Sequence, residues 1–256
     1  MDEVLKYFLL ILGGALAGMI NVIAGAGSLI TLPILIGLGL PPTIANGTNR
    51  ISVIMQDLAA TYKFIKKKKL PLYDGLLLTI PTIIGGVAGA LWATRLSATL
   101  LNILIMVILF ILIVYVIWQP QSWTQKPDAN KKFKLDFVTI IVFLAIGFYA
   151  GFIQAAATYL WFAAVLWRLK VDMVTADAIK VFLNLVLTPV ALIIFIVYHQ
   201  VQFLDGVILG IGSFIGGWYG AKAAIKWSPG FIRILMILIL TLSAAYMLLF
   251  KILHVF

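Results

Sequence analysis

The chain has 256 residues, of which 63% are hydrophobic and only 11% are charged. Soluble domains carry about 25% charged residues, so this composition excludes an ordinary soluble fold and indicates a membrane protein. The net charge of +10 comes mostly from cations in loops at the ends of apolar segments. This placement follows the positive-inside rule and argues against a nucleic-acid partner. Cysteine is absent, which excludes disulfides and thiolate metal sites.

Ten apolar segments follow one another along the chain, and several approach the ~20 residues that cross a bilayer. They run over residues 4–24, 29–40, 44–65, 73–94, 100–118, 135–157, 159–167, 174–198, 203–225 and 231–253. The second and the seventh are too short to cross alone, and each follows a long apolar helix after a break. We predict that both are second arms of helical hairpins, or half-helices that end inside the protein.

Residues in the two halves of the chain match in the same order, at offsets of 130 to 133 residues. The pairs are Gly14 with Gly147, Gly18 with Gly151, Asn21 with Gln154, Arg50 with Lys180, Gly85 with Gly216, and Gly89 with Gly220. A duplication explains this order, with repeat 1 over residues 1–125 and repeat 2 over residues 126–256. The expected fold class is an all-α transmembrane bundle of two inverted repeats, each with about four long helices and one short arm.

The orientation follows from the positions of the cations. Five membrane segments per repeat invert the second repeat, and an external N-terminus then leaves 14 lysines and arginines inside and 3 outside, with Arg50 and Lys180 set aside. Four spans per repeat would make parallel repeats with an internal N-terminus. The same lysines and arginines would then divide into 11 inside and 6 outside. The positive-inside rule favours the first arrangement. We therefore expect a multi-pass plasma-membrane protein with both termini outside.

Inverted repeats with interrupted helices are typical of secondary transporters, whose substrate site lies near the bilayer midplane. Irregular backbone at this depth is tolerated where protein or a watery cavity satisfies it. The break at Gly25, Ala26, Gly27 and Ser28 is therefore expected to line the site. A half-helix that begins near Ser28 would direct free backbone N–H groups toward an anion. The alternative is close helix packing, which small residues allow.

Two cations lie inside apolar helical segments, where charge is costly and therefore indicates function. We predict that Arg50 and Lys180 approach a shared midplane cavity and bind an anion, since a guanidinium suits oxyanions. For Arg50 the alternative is snorkelling to the interface. For Lys180 it is an ion pair with Asp177, three residues earlier on the same face. Asp57, two turns after Arg50, is a candidate counter-ion or site of a coupled proton.

Polar side chains near these points complete the candidate site. They either contact the substrate or tie broken helices together, because buried amides need partners. The candidates are Asn21, Asn46, Asn49, Gln154, Thr158 and Asn184. In contrast, the four-residue spacing of Gly85 with Gly89 and of Gly216 with Gly220 predicts helix packing.

The motifs taken together resemble those of the TauE/SafE family, the sulfite and organosulfonate exporters. Gly14 and Gly18 lead into the Gly-Ala-Gly-Ser break, and an apolar arm with Pro33 follows. Further along come the stretch Ala-Asn-Gly-Thr-Asn-Arg at residues 45–50 and Gly-Gly-Val-Ala-Gly-Ala at residues 85–90. In the second half, residues 154–158 contain no glycine, so a bend is the alternative to an unwound loop there.

The resemblance implies transport of small sulfur-containing anions such as sulfonates or sulfite. We expect a secondary transporter that works by alternating access and is not an enzyme, with no cofactor and no metal site. The expected partners are a small anion, the lipid bilayer and a second copy of the chain in a homodimer. An anion channel and a flippase for anionic lipid headgroups remain the alternatives.

Overall fold

A computed structural model describes residues 3–25, 27–95, 135–154 and 157–228, together with residues 230, 231, 234 and 238. The predicted segment 100–118 and most of segment 231–253 lie outside the described residues. Within the described part all regular structure is helical, which confirms a polytopic helical bundle. The helices are α1 (Glu3–Ala24), α2 (Ser28–Gly37), α3 (Pro42–Lys66), α4 (Leu72–Ala93), α5 (Phe137–Phe152), α6 (Ala157–Leu169), α7 (Met173–Val197) and α8 (Phe203–Lys226). Four of them, α1, α4, α7 and α8, are long and apolar enough to cross a membrane.

The two short arms fold back on the helices before them. A Cβ atom added at Gly13 in α1 would touch the Ile34 side chain near the end of α2, and one added at Gly27 would touch the Ala17 carbonyl. In the second half, Arg168 near the end of α6 forms an ion pair with Asp136, the N-cap of α5. Each short arm is therefore antiparallel to its partner, as a helical hairpin requires.

Two helix pairs approach so closely that their contacts consist of glycine against backbone. In the pair α1 and α8, a Cβ at Gly14 would lie 2.2 Å from the Leu209 carbonyl oxygen, and one at Gly216 would lie 2.1 Å from that of Ala15. In the pair α4 and α5, a Cβ at Gly85 would lie 2.0 Å from the Leu144 oxygen. The packing role predicted for these glycines is confirmed, since small residues let membrane helices make extensive van der Waals contact.

The helices run in two opposite sets. Four helix pairs are parallel, because residue numbers increase in the same direction along both helices at their contacts. These pairs are α1 with α8, α3 with α8, α4 with α5, and α4 with α7. Across α3 and α7 they run in opposite senses, because Arg50 contacts Phe195 whereas Asp57 contacts Asn184. Consequently α1, α3 and α8 point one way, and α4, α5 and α7 point the other.

The contacts also fix how the halves correspond, and they correct part of the sequence alignment. Helices α3 and α7 both have 25 residues and begin at 42 and 173, an offset of 131. Gly75 packs on Phe182 just as Gly206 packs on Ile51, again at 131. Lys180 therefore corresponds to Asn49, and Arg50 corresponds to Val181. The pairing of Arg50 with Lys180 was wrong by one residue, which is about 100° around a helix.

The first helices of the halves are also shifted relative to the sequence alignment. Gly18 packs on Ser213 as Gly147 packs on Thr82, so α1 and α5 correspond at an offset of 129 and not 133. By this register Gln154 is the counterpart of Gly25, and the pairing of Gln154 with Asn21 was wrong. A four-residue slip leaves the same helix face in contact, which is why the glycine pattern alone did not reveal it.

Cations collect at one end of the bundle. Helices α3 and α8 end there with Lys66 and Lys226, and α5 begins there beside Arg168. At this end the Lys63 ammonium also lies 3.9 Å from the centre of the Trp218 ring. Hydrogen bonds from Thr139 and Arg168 hold the pKa of Asp136 well below its usual range. These residues form the cation-rich end of the bundle.

We expect Gly89→Ala to lower the thermal stability of the detergent-solubilised protein by about 1–3 kcal/mol. The new Cβ would lie 1.9 Å from the Phe148 carbonyl oxygen, so α4 and α5 must separate. The control is Gly37→Ala, where an added Cβ meets nothing within 4 Å. Equal melting temperatures for the two variants would contradict the close approach of α4 and α5.

Candidate functional site

The first break, residues 25–27, separates α1 from α2. Gly25 takes a left-handed conformation with φ of +73°, which glycine adopts without strain. The Asn21 side-chain oxygen accepts a hydrogen bond from the Gly27 N–H at 3.0 Å and so satisfies a backbone donor at the break. Helix α2 begins at Ser28, as the sequence predicts. Ala26 lies outside the described residues.

Asn49 ties the first short arm to α3. Its amide nitrogen donates to the Ser28 hydroxyl at 3.1 Å, and its oxygen accepts from the Thr31 hydroxyl at 2.6 Å and the Ser52 hydroxyl at 3.2 Å. All four side chains are buried. In this conformation Asn49 and Ser28 therefore hold broken helices together, which for Asn49 is the alternative to substrate contact given above.

The second break, residues 153–156, separates α5 from α6. Gln154 occupies the left-handed region with φ of +63°, the conformation that Gly25 has in the first half. A residue with a side chain is uncommon there and carries strain of about 1 kcal/mol or more. Its amide nitrogen donates to Thr188 at 3.1 Å, while its buried oxygen has no partner among the described residues. Residues 155 and 156 lie outside the described part.

The two breaks touch each other. The Thr158 hydroxyl donates to the Gly25 carbonyl at 2.8 Å and lies 3.4 Å from the Asn21 oxygen. Thr158 is the second residue of α6, so the start of one short arm is bonded to the end of the opposite long helix. The structure thus brings Asn21, Gly25 and Thr158 together at the centre of the bundle.

Arg50 is completely buried in the same region. Its Nη2 atom donates to the Gly151 carbonyl at 2.6 Å, at the end of α5. Its guanidinium carbon lies 4.5 Å from the centre of the Phe195 ring. The Nε and Nη1 atoms have no hydrogen-bond partner, and no carboxylate lies within ion-pair distance among the described residues. Snorkelling is thereby excluded for this conformation.

The contacts of Arg50 satisfy only part of the buried guanidinium. Removing a charged group from water costs on the order of several kcal/mol. A desolvated cation–π contact returns about 2 kcal/mol or more and one hydrogen bond to a carbonyl a similar amount, but neither supplies a negative charge. Two unpartnered donors on a buried cation form a site that an oxyanion would complete.

Lys180 has a partner of its own. Its ammonium lies 2.6 Å from the Asp177 carboxylate, and both side chains are fully buried on α7. The Phe162 ring centre lies 5.1 Å from the same ammonium. The pair is the intrahelical ion pair named above as the alternative to anion binding, and it neutralises Lys180 in this conformation.

The structure does not bring Arg50 and Lys180 together. Arg50 contacts the Gly151 carbonyl and the Phe195 ring, whereas Lys180 contacts Asp177 and the Phe162 ring. Antiparallel α3 and α7 meet at Asp57 and Asn184. Arg50 lies seven residues from this contact on one side, and Lys180 lies four residues from it on the other. The backbone positions of the two cations are therefore about 16 Å apart along the helix axes.

Asp57 lies between the cations and is bonded to amides. Asn184 donates to one carboxylate oxygen at 2.6 Å, and Gln56 donates to the other at 3.1 Å. Asp57 is fully buried, and no cation lies within ion-pair distance of it among the described residues. The predicted counter-ion contact with Arg50 is therefore not made here, and the role of Asp57 in proton coupling stays a prediction.

Several groups that contact the candidate site residues could not be recognised from the sequence. The Gly151 carbonyl and the Phe195 ring meet Arg50 from distant parts of the chain, so spacing could not reveal them. The Phe152 carbonyl likewise accepts from Asn46 at 3.2 Å. Thr188 was detectable, because it lies one turn after Asn184 on the same face of α7.

Comparisons with known proteins agree with this architecture. The profile of the family described as "Sulfite exporter TauE/SafE" matches residues 10–247. The "Probable membrane transporter protein YfcA" of Escherichia coli K12 is 27% identical over 233 residues, covering 91% of this chain and 86% of the relative. A "Probable membrane transporter protein" of Haemophilus influenzae is 25% identical and covers 91% of each chain. No solved structure matches this chain.

We expect Thr158→Val to lower the thermal stability by about 1 kcal/mol, because the substitution keeps the shape but leaves the Gly25 carbonyl without its donor. The matched control is Thr94→Val, whose hydroxyl bonds only to the Leu91 carbonyl of its own helix end at an exposed position. The readout is the melting temperature in detergent. No loss of stability relative to the control would show that the contact between the breaks is not needed.

Proposed function

Because the chain belongs to the sulfite exporter TauE/SafE family and is a membrane transporter, we propose that it carries a small oxyanion that binds to Arg50. The observation that carries the proposal is the buried guanidinium with two unpartnered donors and no carboxylate nearby in the described structure. An anion with several acceptor oxygens would both neutralise this charge and engage these donors.

Sulfonates and sulfite are the substrate class that we propose first. The family's name supports sulfite, whereas the relatives' names say only that they are probable membrane transporters. These anions have three oxygens around one sulfur, and guanidinium binds such groups by charge-assisted hydrogen bonds. The size of the anion would be set by the residues around the guanidinium, among which Phe195 and the end of α5 are closest.

Alternating access by inverted repeats is the proposed mechanism. Its support is the direction of the helices. Helices α1, α3 and α8 run opposite to α5, α7 and α4, which are their respective counterparts in the other half of the chain. In such transporters one state becomes the other when the two repeats exchange conformations around a central site. Complete burial of Arg50 favours a carrier in a closed state over an open pore, in which water would reach the guanidinium.

Single-cysteine labelling tests the inverted orientation, and this cysteine-free chain needs no background removal. Lys68 and His199 are equivalent positions, both exposed and both in left-handed turns with φ of 53° and 55°. We expect a membrane-impermeant maleimide to label His199→Cys in intact cells and Lys68→Cys only after lysis. Labelling of both from the same side would contradict the inversion.

Substitution of Arg50 tests the anion site. We expect Arg50→Gln to reduce uptake of radiolabelled sulfite into proteoliposomes at least a hundredfold, because the glutamine carries no charge. Arg50→Lys keeps the charge but loses the fork of donors, so it should retain a measurable part of the activity. Counterflow should be seen with the unmodified protein, as carriers require and channels do not.

The control for this experiment is Arg168→Gln, which makes the same chemical change at the cation-rich end of the bundle. It should transport at close to the rate of the unmodified protein. Thermal unfolding shows which variants are folded. A folded Arg50→Gln protein with normal uptake would exclude the guanidinium as the substrate site.

A further inference from the structure

We propose that Asp57 takes up a proton when the anion binds, so that the transporter moves one proton together with one anion charge. The inference rests on the proposed function of Arg50 and adds the coupled ion. A proton would enter from the water on the side where the anion enters, bind to a carboxylate oxygen of Asp57, and leave on the other side. Four observations support this assignment.

The first observation is a one-way chain of hydrogen bonds that ends on Asp57. Gln154 donates to Thr188 at 3.1 Å, Thr188 donates to the Asn184 oxygen at 3.3 Å, and Asn184 donates to Asp57 at 2.6 Å. Each donor points toward the carboxylate, which is the order that a negative charge at the end favours. Protonation of Asp57 removes that charge and places a donor on one of its two oxygens, so the amide that donates to that oxygen, Asn184 or Gln56, must turn to accept.

The second observation is the balance of buried charge. The Lys180 and Asp177 pair sums to zero, so when Asp57 is ionised the described core has one positive charge at Arg50 and one negative charge at Asp57. Arg50 and Asp57 are seven residues apart on α3, or about 10 Å along the axis. The empty centre is therefore neutral, and a bound monoanion would make it negative unless a proton arrives with the anion.

The size of this effect follows from Coulomb's law. Two charges about 10 Å apart at an effective dielectric constant of about 20 interact by an amount equal to roughly a tenfold change in an equilibrium constant. Protonation of Asp57 should therefore raise the affinity for a monoanion at Arg50 roughly tenfold. By linkage, the anion raises the affinity for the proton by the same factor.

The third observation is that the two sites share one short segment. Gly151 accepts from Arg50, Phe152 accepts from Asn46, and Gln154 begins the chain to Asp57. The strained left-handed backbone of Gln154 lies within this segment, and its side-chain oxygen is buried without a partner among the described residues. A rearrangement of the chain would therefore move the backbone that holds Arg50.

The fourth observation concerns the other charges around Asp57. On α7 the charged residues are Asp177 and Lys180, which are paired with each other. Helix α8 faces this part of α3 with Gly217, and its charged residues Asp205, Lys222 and Lys226 lie toward its ends. Helix α2 has no titratable residue, and the charges of α1, Glu3 and Lys6, lie at its start. Asp57 is thus the central carboxylate without a cation partner in the described part of the chain.

Calorimetry of the detergent-solubilised protein tests the coupling. Methanesulfonate, which stays a monoanion near neutral pH, is titrated in two buffers of equal pH and different ionisation enthalpy, and the difference in heat gives the protons taken up per anion. Sulfite binds a proton near neutral pH, so it serves only as a second test of anion binding. A tenfold coupling moves the midpoint of proton binding by about one pH unit, so over a series of pH values we expect a maximum of about half a proton for the unmodified protein and none for Asp57→Asn, which imitates the protonated state. The variant should still bind the anion and should catalyse anion exchange.

Asp205→Asn is the matched control, because it removes a buried carboxylate that is bonded to Lys6 near the start of α8. It should take up the same number of protons as the unmodified protein. In proteoliposomes, a pH gradient should drive accumulation by the unmodified and control proteins and not by Asp57→Asn. Exchange without a gradient should persist in all three.

The outcomes separate this inference from the proposed function. Anion binding by the unmodified protein without proton uptake, or full gradient-driven accumulation by Asp57→Asn, would overturn proton coupling and leave the Arg50 site intact. No binding of any tested anion by the unmodified protein would overturn the Arg50 site, and the coupling with it. Because the first test uses the unmodified protein, it decides the question even where Asp57→Asn does not fold.

Discussion

A buried guanidinium without a carboxylate partner is the constraint on which the centre of this protein depends. The bundle holds Arg50 by one carbonyl and one aromatic ring, which leave two of its donors and its charge without a partner among the described residues. Stable packing of the surrounding helices is needed to keep such a group buried. Under the proposed function an anion would supply the missing partner, so the burial of Arg50 would contribute to substrate affinity.

The stability that supports Arg50 comes from close helix packing. Glycines of α1 and α8, and of α4 and α5, place backbone against backbone and join each half to the other. Membrane helices gain little from the hydrophobic effect within the bilayer, so this contact area is their main source of association. The short arms α2 and α6 also bury apolar side chains in the core, among them Leu35, Trp161 and Phe162. Side-chain hydrogen bonds, including those of Asn49 and Thr158, add to this contact.

The sequence predicted the architecture well because that level depends on composition and periodicity. Within the described residues the long apolar helices, the two short arms and the break at Gly25 appear as expected, and α2 begins at Ser28. The register between the two halves was harder to predict. A slip of one turn keeps the same helix face in contact, and the glycine pattern recurs every four residues. The correspondence of Arg50 with Lys180 failed for the opposite reason, since a shift of one residue turns a side chain to another face. The partners of Arg50 come from α5 and α7, and no local pattern could have named them.

The corrected register shows how the two halves have come to differ. Asn46 and Asn49 in α3 correspond to Asp177 and Lys180 in α7, at an offset of 131 in both cases. One half therefore has two amides where the other has an ion pair, and in both places the two residues are three apart on one helix face. Because the amides are neutral and the ion pair sums to zero, neither set adds net charge to the core. Arg50 and Asp57 then determine its charge alone, and their counterparts Val181 and Thr188 are uncharged. In the described residues the first half of the chain thus supplies both of these residues, while the second half supplies the carbonyl, the ring and the amide that contact them.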